Sequence, residues 1–576
     1  MEEEKNYFLG IDMGTDSIGY AVTDTSSNYR LLKHNGEPMW GVTLFDKANL
    51  NDERRAFRTN RRRTDRRQQR VRLVQEIFAH EIGNVDPGFF RRIAESALLT
   101  EDKSDPNCIF NGADYTDAEY HREYPTIHHL ICELMESDAP HDVRLVYLAC
   151  AWLVSHRGHF LSEISVDNVN AMFDFSPVYH DFLDYCRDYS DEKSYAEPWS
   201  LSEEKEHEFE NILKQHGVQN RKQQFRDLLF GGKKIPKTVG EKDSRFPFSV
   251  EAILGLLAGG KVKMSDLYLN TEYEEFGQFS LESKEEDYQN MLANLGDDGE
   301  LLRKLKALSD WAILSDLYQG QRYISFAKVK VYEQHKNDLV GLKKYVKANY
   351  DDETYKKIFR NVCDNNYTAY SGNIKDVKGE TAKYKKCNST ADFCAFIHKT
   401  LALDKKDNAA KMPPEMLEQI KNCTFMPKQV TGDNRVLPYQ LYYVELQKIL
   451  EKAKTYLPFL SEIDEDGYRT DEKLLSIMRF RVPYYVGPLN EHGKNSWIKR
   501  RAEGKIYPWN FDEKVDSDAS ETAFINGMTN TCTYLAGEDV LPKSSLLYQK
   551  FTVLNEINNL KLYGKPIDVN LKQRIY

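Results

Sequence analysis

The chain has 576 residues, of which 41% are apolar and 29% charged, and its net charge is −11. That length exceeds what one core can organise and predicts roughly four domains, while the acidic balance excludes a general polyanion binder. Nine cysteines without a CxxC pair or a dense framework point to reduced thiols in a cytosolic setting; the acid-led start MEEEKNYFLGIDMG lacks the positive charge of a signal peptide, and no apolar run approaches the ~18 residues of a membrane span.

In chain order, the first elements read as short strands: Tyr7 to Ile11, Ile18 to Asp24 and Gly41 to Phe45, separated by Gly- and Ser-containing turns. The next stretch, RRAFRTNRRRTDRRQQRVR from Arg54 to Arg72, carries ten arginines in nineteen residues with Asp65 as its only acid. It contains no Gly or Pro, and Arg and Gln are good helix formers, so a helix is predicted. On that helix Arg54, Arg58, Arg62, Arg66 and Arg70 fall at i, i+4 spacing, with Arg55, Arg61, Arg63 and Arg67 on the flanks. Like charges stacked at that spacing repel, and a polyanion relieves the repulsion. Guanidinium forks bind phosphate oxygens bidentately, so a helix carrying one every ~6 Å can follow a nucleic-acid backbone. A merely solvated basic face mixes Lys and Glu into the run; here the cation is Arg every time.

Beyond the basic stretch, Leu73, Val74, Ile77, Phe78 and Ile82 form an apolar stripe that anchors the helix in a core. Val143 to Val154 is apolar nearly all round and reads as a buried helix. From Ser162 to about Met291 the chain turns acidic and loopy, as in a semi-independent helical insert. Strong helical periodicity returns at Leu301 to Leu317 and at Leu437 to Leu460, and the stretch from Ser371 to Lys386 reads as a loop. The last ~45 residues are helical with loops, and no internal repeat is evident.

Four motifs carry candidate chemistry. In FLGIDMGTDSIGYAV an apolar strand ends on Asp12, turns through Gly14-Thr15 and resumes as a second strand. A carboxylate held there can ligate magnesium. The same D-x-G-T pattern serves RNase H-like nucleases and actin- or sugar-kinase-like ATPases, and the Arg-saturated helix that follows favours the nuclease. His156-Arg157-Gly158-His159, with Cys150 upstream, has metal-like residue types but only three ligand candidates; a helix end with Arg157 aimed at phosphate is the preferred reading. Gly231-Gly232-Lys233-Lys234 lacks phosphate-loop spacing and reads as a solvated turn. Tyr484, Tyr485, Trp497, Tyr507 and Trp509, interleaved with Arg479, Arg481, Arg500 and Arg501, suit RNA through stacking and phosphate contacts.

Together, GIDMGTDSIGYAV, RTNRRRTDRRQQRVRLVQEIF, YPTIHHLICELM, DVRLVYLACAWLVSHRGHFL, LSDWAILSDL, RVPYYVGPL, PWNF and VLPKSSLLYQKFTVLNEINN resemble, in register, one family. It is the type II CRISPR-associated RNA-guided DNA endonucleases of antiviral defence (the Cas-nine family, subtype II-A-like). The resemblance covers essentially the whole chain and is weakest between Ser162 and Met291.

The resemblance implies a mainly α fold. Its expected parts are a partial RuvC-like, RNase H-like segment at 1–52, an Arg-rich bridge helix at 53–84, and a first recognition domain in two parts, 85–161 and 301–530. A helical insert at 162–300 and the start of a third recognition domain at 531–576 complete it. Asp12 matches the catalytic, metal-binding Asp of the RuvC-like site, where the family binds Mg2+ or Mn2+. The bridge arginines Arg58, Arg61, Arg62, Arg66, Arg67 and Arg70 match guide-RNA positions, as do Arg157, Arg481, Tyr484 and Trp497, while Asn530 matches a heteroduplex position. Asp16 departs from the family, which more often has Asn or Ser there.

The implied partners are a CRISPR guide RNA with its trans-activating RNA and double-stranded target DNA, bound by a monomeric protein in the bacterial cytoplasm, with no membrane. The family's further RuvC-like segments, HNH nuclease domain and PAM-reading region have no counterpart here. The expectation is therefore an N-terminal portion or split form of a nuclease, inactive alone, because Asp12 by itself cannot hold two metal ions, and three strands leave an apolar edge exposed. The alternatives are a catalytically silent guide-RNA-binding module and, more distantly, an actin-like ATPase or sugar kinase. The latter needs a second D-x-G-type motif after an apolar strand, and none follows.

Overall fold

The computed structural model describes all residues except 1–5, 15–16, 46–51, 97, 107, 113–114, 161–163, 194, 216–217, 241–244, 284, 362, 372–388, 466, 494–495, 529–530, 532–536, 543 and 563–564. It divides into two compact units, 1–75 and 76–576. The loop expected from Ser371 to Lys386 lies, apart from its first residue, outside the described residues, as does Asn530.

In the first unit, strands β1 (Tyr7–Met13), β2 (Ser17–Asp24) and β3 (Trp40–Leu44) form an antiparallel sheet in the order β1-β2-β3. The three predicted strands are thus present, with β1 two residues longer than its apolar run and β3 starting one residue earlier. The register pairs Leu9 with Val22 and Asp12 with Gly19. Among the apolar residues described in the sheet only Val22 is buried; Phe8, Ile11, Trp40 and Leu44 are all more than half exposed. A sheet this small leaves both apolar faces uncovered.

Helix α1 (Asp52–Val85) carries the arginine run and is the longest in the chain's described residues. Its charge changes along its length because the sequence does: arginine fills the first two thirds, and Phe78 and Ile82 are fully buried near the end. In the second unit Phe78 meets Tyr147 edge-on at 5.7 Å and Phe459 at 5.4 Å, contacts that add stabilisation beyond area burial. Just after the helix, Asp86 pairs with Arg92 and, at 2.9 Å, with Arg144.

The second unit is helical. Helix α2 (Ile127–Glu136) and helix α3 (Val143–Ser155) supply much of the first core; eight of the thirteen residues of α3 are buried, as its apolar run predicted. Asp142 caps α3 by accepting the Arg144 N–H at 2.7 Å. A second core gathers Phe175, Tyr179, Phe182, Phe209, Phe225, Phe246 and the apolar Val250–Leu257 helix. It does not stop at residue 300. Leu301, Leu305, Leu308 and Trp311 of helix α4 (Glu300–Tyr318) belong to the same core, so the insert expected at 162–300 is packed onto the helix that follows it. Arg435 fastens the insert again by donating to the carbonyls of Glu282 and Ser283 at 2.7 and 2.8 Å. A third core lies between 342 and 426.

At the centre, α2, helix α5 (Ile324–Asn349) and helix α6 (Tyr439–Ala453) share a buried polar chain. His128 Nδ1 lies 3.0 Å from Ser325 Oγ, which lies 2.9 Å from Glu445 Oε2, and the Ser325 N–H donates to Glu445 Oε1 at 2.7 Å. Burial pushes the Glu445 carboxyl up to about 8, against the pull of both Ser325 hydrogen bonds. Burial also depresses His128, to about 3, helped by the charges of Lys328, His129 and His156. Near neutrality both are therefore uncharged, as an interior demands. The order differs from a nucleophilic triad, where the imidazole stands between hydroxyl and carboxylate. Here the hydroxyl is in the middle, and the chain joins three helices.

Candidate nucleic-acid interface

Arg58, Arg61, Arg62, Arg66 and Arg67 are exposed along α1, and Arg70 is half-buried. Among the described residues no carboxylate pairs with Arg58, Arg61, Arg62 or Arg66. Burial lowers the Arg70 guanidinium to about 10, and the neighbouring charges of Arg67 and Arg66 push the same way. It remains cationic at neutral pH. The helix thus displays a dense cationic face with little internal neutralisation, although repulsion disfavours it. Thr64 faces the backbone, donating to the Asn60 carbonyl at 3.0 Å.

Asp12 is exposed and sits near the end of β1, opposite Gly19. Among the described residues, no group of three or more His, Cys, Asp or Glu side chains could hold a metal ion. The described donor set is one carboxylate, which does not complete a magnesium site.

Arg157 follows the end of α3, and the fold gives it acceptors of its own. Its Nη1 donates to the carbonyls of Ile477, Met478 and Phe480 at 3.2, 2.8 and 2.7 Å, at the C-terminus of helix α7 (Thr470–Arg479). Its guanidinium lies 4.5 Å from the Phe160 ring. A cation here satisfies orphan carbonyls and opposes the helix dipole. Through Nη1, Arg157 joins two segments of the helical body.

The flanking residues are equally structural. A Cβ on Gly158 would lie 2.0 Å from the Leu437 carbonyl oxygen. His159 donates its N–H to that oxygen at 2.9 Å and accepts from the Tyr439 N–H at 2.9 Å. His156 stacks on Trp152 at 4.5 Å, the His159 ring reaches the Val436 carbonyl at 2.8 Å, and Cys150 is buried. The three ligand candidates do not converge. Gly231 and Gly232 have φ of 57° and 79°, and Lys233 and Lys234 are exposed, so GGKK is a solvated turn.

Beyond α7 the chain builds an aromatic surface. Arg481 is exposed, and Tyr484 is 79% exposed. Trp497 is half-buried and donates its indole N–H to the Tyr485 carbonyl at 2.7 Å. Phe524, from helix α8 (Ser517–Gly527), contacts both rings, at 5.5 Å from Tyr484 and 5.1 Å from Trp497. Sequence reasoning missed Phe524, since a lone aromatic in a polar helix carries no local signal. Tyr507 and Trp509 stack at 4.6 Å, with Lys505 over one ring and Lys473 over the other, so this pair of the predicted cluster is largely occupied within the fold.

The first unit thus presents an exposed arginine helix, and the second an aromatic surface flanked by cations. Comparison with known proteins narrows the class. Residues 54–86 match the bridge helix of CRISPR-associated endonuclease Cas9, and residues 192–576 match the REC lobe of the same enzyme. The chain belongs to this Cas9 family. It is 34% identical to the CRISPR-associated endonuclease Cas9 of Streptococcus mutans serotype c, over 100% of this chain and 41% of that protein. It is 33% identical to the enzyme of the same name from Listeria innocua serovar 6a, over 97% of this chain and 40% of that protein. The chain thus spans about two fifths of the length of these relatives. No helix among the described residues is long and apolar enough to cross a membrane.

Proposed function

We propose that this chain is the guide-holding part of a CRISPR RNA-guided DNA endonuclease. It binds a guide RNA, with its trans-activating RNA, along the exposed arginines of α1, and it holds the guide–target heteroduplex on the helical body. The observation that carries this reading is the bare cationic face of Arg58, Arg61, Arg62 and Arg66 within a segment that matches the Cas9 bridge helix. In such enzymes base pairing supplies sequence specificity, while the protein reads shape and backbone. Fixed phosphates on the bridge leave the guide bases free to pair. Arg481, Tyr484 and Trp497 extend the RNA-facing surface, and Asn530 is assigned to the heteroduplex from its motif alone. The setting is the bacterial cytoplasm, and the protein is a monomer in a ribonucleoprotein acting on double-stranded DNA in antiviral defence.

Asp12 supplies one carboxylate of a RuvC-like site that uses Mg2+, or Mn2+ in its place. The described residues do not complete that site, so this chain alone is expected to be a catalytically silent guide-RNA-binding module. Cleavage of target DNA by the purified chain with guide RNA and Mg2+, abolished by Asp12→Ala, would overturn that expectation. Binding itself is tested by fluorescence anisotropy of labelled guide RNA across a salt series. The reading requires the affinity to fall with salt by about 0.7 log units per log unit for each phosphate contact. A salt-independent or absent interaction overturns it.

A further inference from the structure

The rings of Tyr484, Trp497 and Phe524 are held by contacts that do not depend on any ligand. Gly487 has a φ of 75°, and a Cβ there would lie 2.6 Å from Trp497 Cε2. Glycine is therefore needed twice, for the backbone and for the close approach of the indole. The indole N–H bond to the Tyr485 carbonyl fixes the in-plane orientation of the ring. On the other side, α8 is pinned before it reaches the rings. Asp516 caps it by accepting the Ala519 N–H at 3.0 Å, and Ser520, fully buried, accepts the Lys499 N–H at 2.8 Å. Phe524 lies four residues after Ser520, on the same helical face. Its ring stands at 88° to Tyr484 and at 32° to Trp497.

We propose that Phe524 is the positioning residue of a preformed three-ring platform, Tyr484–Phe524–Trp497, that stacks on one nucleotide of the guide RNA. The inference rests on the guide-RNA reading above and adds a residue that neither the sequence motifs nor the resemblance assigned. The occupant follows from what surrounds the rings. Tyr484 presents most of its surface to solvent, and the exposed cations Arg481 and Lys499 stand three residues before Tyr484 and two after Trp497. Rings flanked by cations suit a nucleotide, whose base stacks while its phosphates meet the charges. Phe524 is itself half-buried and packs against both of the other rings.

The test uses the full 576-residue chain with guide RNA and reads affinity, salt slope and the RNA-induced quenching of Trp497 fluorescence, identified by its loss in Trp497→Phe. Phe524→Ala is expected to weaken binding roughly five- to twentyfold, the low end of a lost stacking contact. The salt slope should stay at the wild-type value, because no phosphate contact is removed. The quenching at saturating RNA should disappear, and Phe524→Tyr should restore both affinity and quenching. If Phe524→Ala binds and quenches like wild type while substitution of the α1 arginines still weakens binding, the platform is wrong and the guide-RNA reading stands. If Phe524→Ala lowers thermal stability but leaves quenching at saturation intact, Phe524 is a core residue and the proposal fails. If the wild-type chain does not bind RNA, the guide-RNA reading fails with it.

Discussion

Arginines on α1 and arginines in the helical body share a side chain and differ in what the fold offers them. In the body, Arg92 and Arg144 share Asp86, Arg144 also binds Asp142, Arg157 reaches three carbonyls at the end of α7, and Arg435 reaches two in the insert. On α1, Arg58, Arg61, Arg62 and Arg66 have no such acceptor among the described residues. A guanidinium with internal acceptors reads as structure. A row of them without acceptors, repelling one another on an exposed face, stores electrostatic energy that a polyanion releases. The count of arginines carries less information than the supply of partners.

The exposed arginines of α1 should show the largest effect. Changing Arg58, Arg62, Arg66 and Arg70 together to Ala is expected to weaken guide-RNA binding by a hundredfold or more. It should also reduce the salt slope by roughly three, since each lost phosphate contact removes about 0.7 to 0.9. Thermal stability should stay level or rise, because like-charge repulsion is removed; a large fall in melting temperature would mean that these side chains are structural after all.

The opposite behaviour is expected at the joint after α3. Gly158→Ala forces a Cβ against the Leu437 backbone and should cost about 3 kcal/mol, in the range of overpacked or strained sites. Denaturant unfolding measures it, and a loss below 1 kcal/mol would show that the two segments separate easily. Arg157→Ala leaves the carbonyls of Ile477, Met478 and Phe480 without this donor and should cost about 2 kcal/mol. If it instead weakens RNA binding with stability unchanged, Arg157 belongs with the α1 arginines.

The smallest expected effect concerns a charge that the body keeps neutral. Glu445 is raised to about 8 from its usual 4.5, so stability from its protonated form is complete below 4.5 and is lost as pH rises toward 8. His128 is lowered to about 3 from 6.5, so its contribution is present above 6.5 and is lost as pH falls toward 3. Glu445→Gln removes the first of these and keeps the second. Stability of the variant should lose its decline between pH 6.5 and 8, a difference on the order of 1 to 2 kcal/mol across that window. Identical pH profiles for wild type and variant would show that Glu445 is not held protonated.

Much of this was legible in the sequence because it is local. The strand core at Tyr7 to Ile11 and the arginine stripe of α1 each follow from neighbouring residues, and the buried face of α3 follows from an unbroken apolar run. The carbonyl partners of Arg157 were not legible in the same way. Its acceptors lie about 320 residues away, and nothing in H-R-G-H-F distinguishes a phosphate from the end of another helix. Phe524 was illegible for the same reason, since its partners lie 40 and 27 residues upstream (524 − 484 and 524 − 497).

The helical character, the cationic face, the strand bearing Asp12 and the family all follow from the order of residues. Periodicity and charge are visible in any short window, and motif order is read directly along the chain. Only the tertiary structure decided which arginines have partners, why residues 158 and 487 must be glycine, and how His128, Ser325 and Glu445 share one buried chain. Each of those depends on two distant segments approaching within hydrogen-bonding or van der Waals distance, and such approaches are set by the packing of the whole chain.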